Sequence, residues 1–391
     1  MHTDRAETKN GGLSKLFVEF FESEKAGGLL LVGCTLVSLI IANSSLGHAY
    51  KELWHYPIAG EGIEHWINDG LMAIFFLLIG LELEREVYQG ELSSLKNALL
   101  PVAGALGGML IPAGIFIFFN AGTPTQAGAG IPMATDIAFA LGILSLLGSR
   151  VPASLKIFLT ALAVIDDLGA IIIIALFYSK GIIVTNLLIS LGIFGALLIL
   201  NRLKVHNLIP YLIGGVVMWY YMLHSGVHAS ITGVLLAFSI PFSDGSEKSP
   251  SVILQHALHN LVNFIILPLF ALANTAIAIG TGWYLPITQP IGAGIIAGLS
   301  LGKPLGILLF SWLAVKLRLS PLPADINWKY IGGAGLLGGI GFTMSIFITL
   351  LAFDDALTVD QAKIMVLIAS LISGVAGFLV LKWAAVTDKK R

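Results

Sequence analysis

The sequence predicts an all-α polytopic membrane protein with about twelve transmembrane helices, on three observations. Of the 391 residues, 56% are hydrophobic and 12% charged, and the mean hydropathy is +0.89, far from the balance of a chain whose main solvent is water. Apolar runs recur at lengths close to the roughly 20 residues that cross a hydrocarbon core of about 30 Å. When those runs are threaded back and forth, Lys and Arg collect on one side. A net charge of −1 offers no basic face to nucleic acid. A single cysteine, Cys34, excludes an intrachain disulfide and a cysteine-based metal cluster. Residues 1–391 read as one integral membrane domain, ordered by helix packing in lipid.

The first four spans fall at 26–42, 66–83, 98–119 and 128–147. Four more follow at 157–178, 182–200, 208–223 and 226–240. The last four cover 257–279, 291–315, 331–351 and 364–380. The stretch before the first run is polar and carries Glu19, Glu22 and Glu24, which does not fit a cleaved signal peptide. With the N-terminus placed in the cytoplasm, Lys51, Lys180 and Lys363 fall outside and Lys25 and Lys303 within helices. The rest of the 22 basic residues fall inside, Arg5, Lys9, Lys15, Lys389, Lys390 and Arg391 among them. An even number of crossings with both termini inside preserves this asymmetry. The loop from Asn43 to His65 is the long external one, carrying Trp54, His55, Tyr56 and Pro57 before Gly60-Glu61-Gly62. It fits either a β-hairpin or an amphipathic segment lying on the membrane surface.

Ionisable groups in mid-span are costly in lipid and mark an ion or proton path more often than a structural pair. Four stand out: Asp136, Asp166, Asp167 and Lys303, all near the expected midplane. Neighbours on a helix diverge by about 100°, so Asp166 and Asp167 cannot aim at one point. One faces a cavity while the other pairs elsewhere. Such a site holds either protons or a small hard cation; sodium prefers oxygen ligands, and nothing here resembles a thiolate or imidazole cage. The alternative is a set of helix-to-helix salt bridges, which leaves three acids facing one base.

Two spans carry helix breakers at matching depth, Gly130-Ile131-Pro132 before Asp136 and Gly338-Gly339-Ile340-Gly341 before Thr343 and Ser345. Broken helices line cavities, and discontinuous helices in corresponding halves point to a transporter's binding site. Their ends carry partial charges, which an acid such as Asp136 and a base such as Lys303 would neutralise. Glycine also permits close helix packing, which is the plainer reading. A further cluster, Glu82, Glu84, Arg85 and Glu86 with Gln255, His256 and His259, is expected at the cytoplasmic edge. It reads equally as a solvated helix end or as groups that titrate near neutral pH. Two histidines on one helical face are weak evidence for metal, and His228 reads as a hydrogen-bonded helix-end residue.

The segments Met133-Ala134-Thr135-Asp136-Ile137-Ala138-Phe139-Ala140, Leu162 to Ala170 and Gly339 to Phe347 closely resemble the NhaA-type sodium/proton antiporters. Gly80-Leu81-Glu82 with Arg85-Glu86, Gly302 to Gly306, and His256 to His259 with Leu267 to Ala271 add to the resemblance, which runs nearly end to end. It implies twelve helices in two inverted-topology repeats, with two broken, crossing helices, and a homodimer joined in part by an external hairpin at 43–65. It implies no cofactor and no enzyme activity, the transported ions being sodium, lithium and protons, in a bacterial inner membrane. By position, Asp167 would be the principal ion carboxylate and Asp166 its partner, paired in one state with Lys303. Thr135 and Asp136 would serve the crossed helix ends, and Asp69 would line an external funnel. Glu82, Arg85, Glu86, Gln255, His256 and His259 would sense pH at the cytoplasmic entry. The chain departs from the pattern at Gln255 and Asn260, where the family usually has an acid and a proline; glutamine does not titrate, so the pH threshold is expected to differ. A sodium-coupled symporter for an organic anion would need more polar specificity groups than are present. An intramembrane aspartyl protease needs its two aspartates on separate helices, whereas Asp166 and Asp167 are adjacent.

Overall fold

The computed structural model describes residues 25–179, 181–243 and 245–388; the N-terminal polar stretch and the expectations attached to Arg5, Lys9, Lys15, Lys180, Lys389, Lys390 and Arg391 lie outside the described residues. The helices begin with α1 (Lys25–Ala42), α2 (Gly47–His55), α3 (Ile63–Tyr88) and α4 (Asn97–Asn120). A 3-10 stretch, Pro124–Met133, leads into α5 (Ile137–Leu146). Next come α6 (Ala153–Phe177), α7 (Val184–Arg202), α8 (Leu208–Leu223) and α9 (Ile231–Ser239). The remainder are α10 (Pro250–Asn274), α11 (Pro290–Lys316), α12 (Trp328–Gly338), α13 (Phe342–Ala352) and α14 (Ala356–Asp388).

Eight of these, α1, α3, α4, α6, α7, α10, α11 and α14, are long and apolar enough to cross a membrane. Two bent pairs bring the total to ten: Pro124–Met133 meets α5 at 43°, and α12 meets α13 at 45°. The expected count of twelve is two higher, because α8 has 16 residues and α9 has nine. The run at 226–240 shortens at its start: Ser225 folds its hydroxyl onto Met222 O and accepts Val227 N–H, holding a turn that delays α9. The run at 364–380 lengthens instead. Asp355 accepts Thr358 N–H at 2.9 Å and the Thr358 hydroxyl at 2.7 Å, so α14 starts at Ala356. Lys363, expected outside, is consequently within the helix and buried.

The 43–65 segment holds α2 followed by two-residue strands, β1 (Pro57–Ile58) and β2 (Glu61–Gly62), paired antiparallel with Ile58 opposite Glu61. Ala59 and Gly60, both at positive φ, make the turn. Ile58 O accepts Trp66 Nε1–H at 2.9 Å, tying the hairpin to α3.

Three of the long helices contain a π-helical turn: Trp66–Leu71 in α3, Val262–Ile266 in α10 and Gly298–Gly302 in α11. Such turns are rare and gather at functional sites. Here they enclose Asp69, follow His259 and precede Lys303.

Helices α4 and α11 are in backbone contact. A Cβ on Gly107 would collide with Gly306 O, and one on Gly306 with Gly107 O, so only glycine allows the approach. The core contains Phe76, Phe270 and Phe347, whose rings pack together, with His228 edge-on to Phe347.

Candidate functional site

The two bent pairs cross at their breaks. Asp136 N–H donates to Ile340 O at 2.7 Å, joining the extended residues after Met133 to the turn after Gly338. The Ser345 hydroxyl donates to Ile131 O at 2.6 Å, adding a second tie. The break before α5 lies at 134–136, while Gly130 and Pro132 sit inside the 3-10 stretch. The tighter 3-10 winding tolerates the missing proline N–H and defers the interruption to Ala134.

Four helix ends therefore meet in the interior. The two N-terminal ends share one carboxylate: Asp136 accepts Phe139 N–H at 2.9 Å in α5, and Thr343 N–H at 3.0 Å together with the Thr343 hydroxyl in α13. The two C-terminal ends receive donors instead. Lys303 Nζ donates to Met133 O, the last carbonyl of the 3-10 stretch. Thr135 Oγ1 lies 2.9 Å from Gly338 O, the last carbonyl of α12, and 2.7 Å from Asp166 Oδ2. The negative group thus sits at the positive ends and the cation at a negative end, the arrangement that lowers the energy of half-helix dipoles in low dielectric.

Asp166 and Asp167 lie together on α6. Asp166 Oδ2 is 2.9 Å from Lys303 Nζ, and both side chains are fully buried. Its neighbour is turned away from this pair and is 0% exposed, yet neither Asp167 oxygen has a hydrogen-bond partner in the protein. The charges of Asp166, Asp136, Lys303 and Glu82 all act on it. Among the described residues, no group of three His, Cys, Asp or Glu side chains forms a transition-metal cage.

The structure brings part of the expected pH cluster together. His259 Nδ1 lies 3.9 Å from Glu82 Oε1 and its Nε2 lies 3.3 Å from Asn263 Nδ2. Arg85 lies 3.8 Å from Glu86. Gln255 is buried and His256 exposed one turn from His259, so the two histidines occupy different environments. Asp69, at the other end of α3, has a setting the sequence reading missed. His65 Nε2 lies 3.0 Å from one of its oxygens and His228 Nε2 lies 3.2 Å from the other, while Trp219 Nε1–H donates to its backbone oxygen. The spacing of His65 and Asp69, four apart on a helix, was a visible signal. His228 carried none, since a turn delivers it from elsewhere in the chain.

Comparison with known proteins agrees with this arrangement. The chain is 65% identical over 371 residues to the Na(+)/H(+) antiporter NhaA of Flavobacterium psychrophilum, covering 95% of this chain and 97% of that one. It is 63% identical to Na(+)/H(+) antiporter NhaA 1 of Flavobacterium johnsoniae, covering 96% and 99%. With NhaA of Dechloromonas aromatica the identity is 59%, covering 97% and 98%. In fold it resembles the sodium proton antiporter MjNhaP1 from Methanocaldococcus jannaschii, at a TM-score of 0.50 and 16% identity, covering 96% of this chain and 98% of that one. The Na+/H+ antiporter 1 family matches residues 18–381, and the chain belongs to it.

Proposed function

We propose that the protein exchanges cytoplasmic sodium or lithium for external protons across a bacterial inner membrane, by alternating access at Asp166 and Asp167. The observation that carries this is the contrast between the two acids. Asp166 is matched by Lys303 and Thr135, whereas the fully buried Asp167 has two oxygens with no protein donor. A carboxylate at that depth is held by a proton or by an alkali cation, and one displaces the other. No covalent step or cofactor is involved.

Lys303 has two roles in this reading, compensating Asp166 and satisfying the Met133 carbonyl. A cation or proton arriving at the acids competes with the ammonium, which favours electrogenic exchange of more protons than sodium ions. Asp136 and Thr135 hold the crossing in shape and do not carry the ion. Glu82 with His259 forms the cytoplasmic entry and sets the pH response with Arg85, Glu86, Gln255 and His256; Asp69 with His65 and His228 lines the external funnel. Both termini are cytoplasmic, and the chain completes twelve crossings in two inverted-topology repeats, with α8 and α9 as the two short ones. Two copies pair through the 43–65 segment. The printed names of the relatives support sodium and protons as the exchanged ions.

The test is a fluorescent pH assay in everted membrane vesicles, with sodium added to a pre-acidified lumen. Sodium and lithium should each release protons without an organic substrate, and Asp167→Asn should abolish the release. Persistence of sodium-driven release when both Asp166 and Asp167 are replaced by Asn would refute the proposal.

A further inference from the structure

We infer that the Thr160 hydroxyl is a ligand for the transported cation on its cytoplasmic approach to Asp167, an inference that rests on the exchange reading above. Thr160 lies on α6, seven residues before Asp167. Seven steps of 100° return to within about 20° of the starting direction, so the two side chains leave one helix face about 10 Å apart along the axis. Asp166 is rotated off that face towards Lys303 and Thr135, so the salt bridge does not close it.

The hydroxyl itself is unusual. A threonine within a helix can donate to the carbonyl four residues back, as Thr35 does to Leu31 at 2.8 Å, Thr275 to Ala271 at 2.7 Å and Thr349 to Ser345 at 2.8 Å. Thr160 Oγ1 has no hydrogen-bond partner and almost no accessible surface. Among the described residues Thr232, Ser251 and Ser311 also have buried hydroxyls without a partner, and each is on a different helix from the acidic pair. An oxygen that neither bonds back to its helix nor faces bulk water keeps its lone pairs for another partner, and a hard alkali cation seeks neutral oxygens of this kind while it loses water.

The position fits the route. Helix α6 starts beside the segment that follows α3, the end that carries Glu82, whose charge acts on Asp167. Glu82, Ile137, Ala138, His259 and Asn263 line a small recess at this end. A cation passing Glu82 then meets Thr160 before Asp167.

The experiment compares Thr160→Val, which keeps shape and removes the hydroxyl, with Thr160→Ser, which keeps the hydroxyl. Sodium-dependent proton release is measured at several sodium concentrations in everted vesicles, where the cytoplasmic face is outermost, and in right-side-out vesicles. Loss of one neutral oxygen ligand should raise the sodium KM of Thr160→Val about threefold to tenfold from the cytoplasmic face. Its KM from the external face and all constants of Thr160→Ser should remain at the native values. KM does not depend on how much protein folds, so reduced expression leaves the readout intact. An unchanged cytoplasmic KM in Thr160→Val, an equal rise from both faces, or an equal rise in Thr160→Ser overturns the inference. Asp167→Asn, run in parallel, separates these results from failure of the exchange reading, since retained exchange in that variant indicts the acidic site and not Thr160.

Discussion

Asp136 joins two helices that are more than 200 residues apart in sequence, so its removal should be expensive. It is 2% exposed and accepts three hydrogen bonds, from Phe139 N–H, Thr343 N–H and the Thr343 hydroxyl. Losing the α5 cap costs about 1 kcal/mol. Each of the two bonds from Thr343 to a charged acceptor is worth about 1.5–3 kcal/mol, because the donors are left buried. Asp136→Ala should therefore lose about 4–7 kcal/mol, taken as an upper range since the three bonds are not independent. Asp136→Asn keeps an acceptor oxygen of similar shape and loses the charge, so its cost should be about 1–2 kcal/mol. Thermal unfolding of purified protein in detergent, followed by size-exclusion chromatography, distinguishes them: Asp136→Ala should melt at least about 10 °C below the native protein, and Asp136→Asn only a few degrees below. Melting of Asp136→Ala within about 2 °C of native, or as large a drop for Asp136→Asn, would refute the argument that one carboxylate binds both helix starts.

Lys303→Met should cost about 3–5 kcal/mol by leaving Asp166 buried without its cation, and adding Asp166→Leu should recover much of that in a double-mutant melting cycle. Gly306→Ala should destabilise by about 1–3 kcal/mol through collision with the Gly107 carbonyl. Leu305→Ala next to it, 58% exposed, should stay within about 0.5 kcal/mol, as read by the same melting curves. Asp355 titrates outside the membrane-spanning segment, and the Thr358 hydroxyl and N–H hold its carboxyl below the ordinary value of 3.8. A depressed folded value stabilises the α14 start above the unfolded value and is lost as pH falls through the folded one. Amide exchange at 356–359 should thus stay slow at neutral pH, accelerate only in strong acid, and be fast at every pH in Asp355→Ala.

The crossing was legible in the sequence because its ingredients are costly and rare: three acids and one base in apolar runs, and glycines at matching depth. Asp136, Asp166, Asp167 and Lys303 needed no tertiary information to be singled out, since burial in lipid makes a charge conspicuous wherever it points. Their pairing was less so. That Thr135 would share itself between Asp166 and Gly338, or that Thr343 would donate twice to Asp136, depends on how two breaks meet, which no local pattern encodes. Short polar segments were the least readable. The α2 helix at 47–55 has an undistinguished composition and is fixed by Trp54 packing into the core. Lys363 looked external because an apolar run starts just after it, whereas the Asp355 cap starts the helix two turns earlier. The π-helical turns left no trace in hydropathy, because one extra residue in a 25-residue apolar helix changes neither its length class nor its polarity.

The widened turn at Gly298–Gly302 has a bearing on how such a chain can change over evolutionary time. Removing one residue between Pro290 and Gly302 would tighten that turn into ordinary α-helix and swing everything beyond it by about 100°. Lys303 would then leave Asp166 and the Met133 carbonyl at once, and Gly306 would swing off Gly107. Substitutions on the lipid face of this stretch are cheap by comparison, so drift should alter its residues freely while leaving the number of residues from Pro290 to Lys303 untouched.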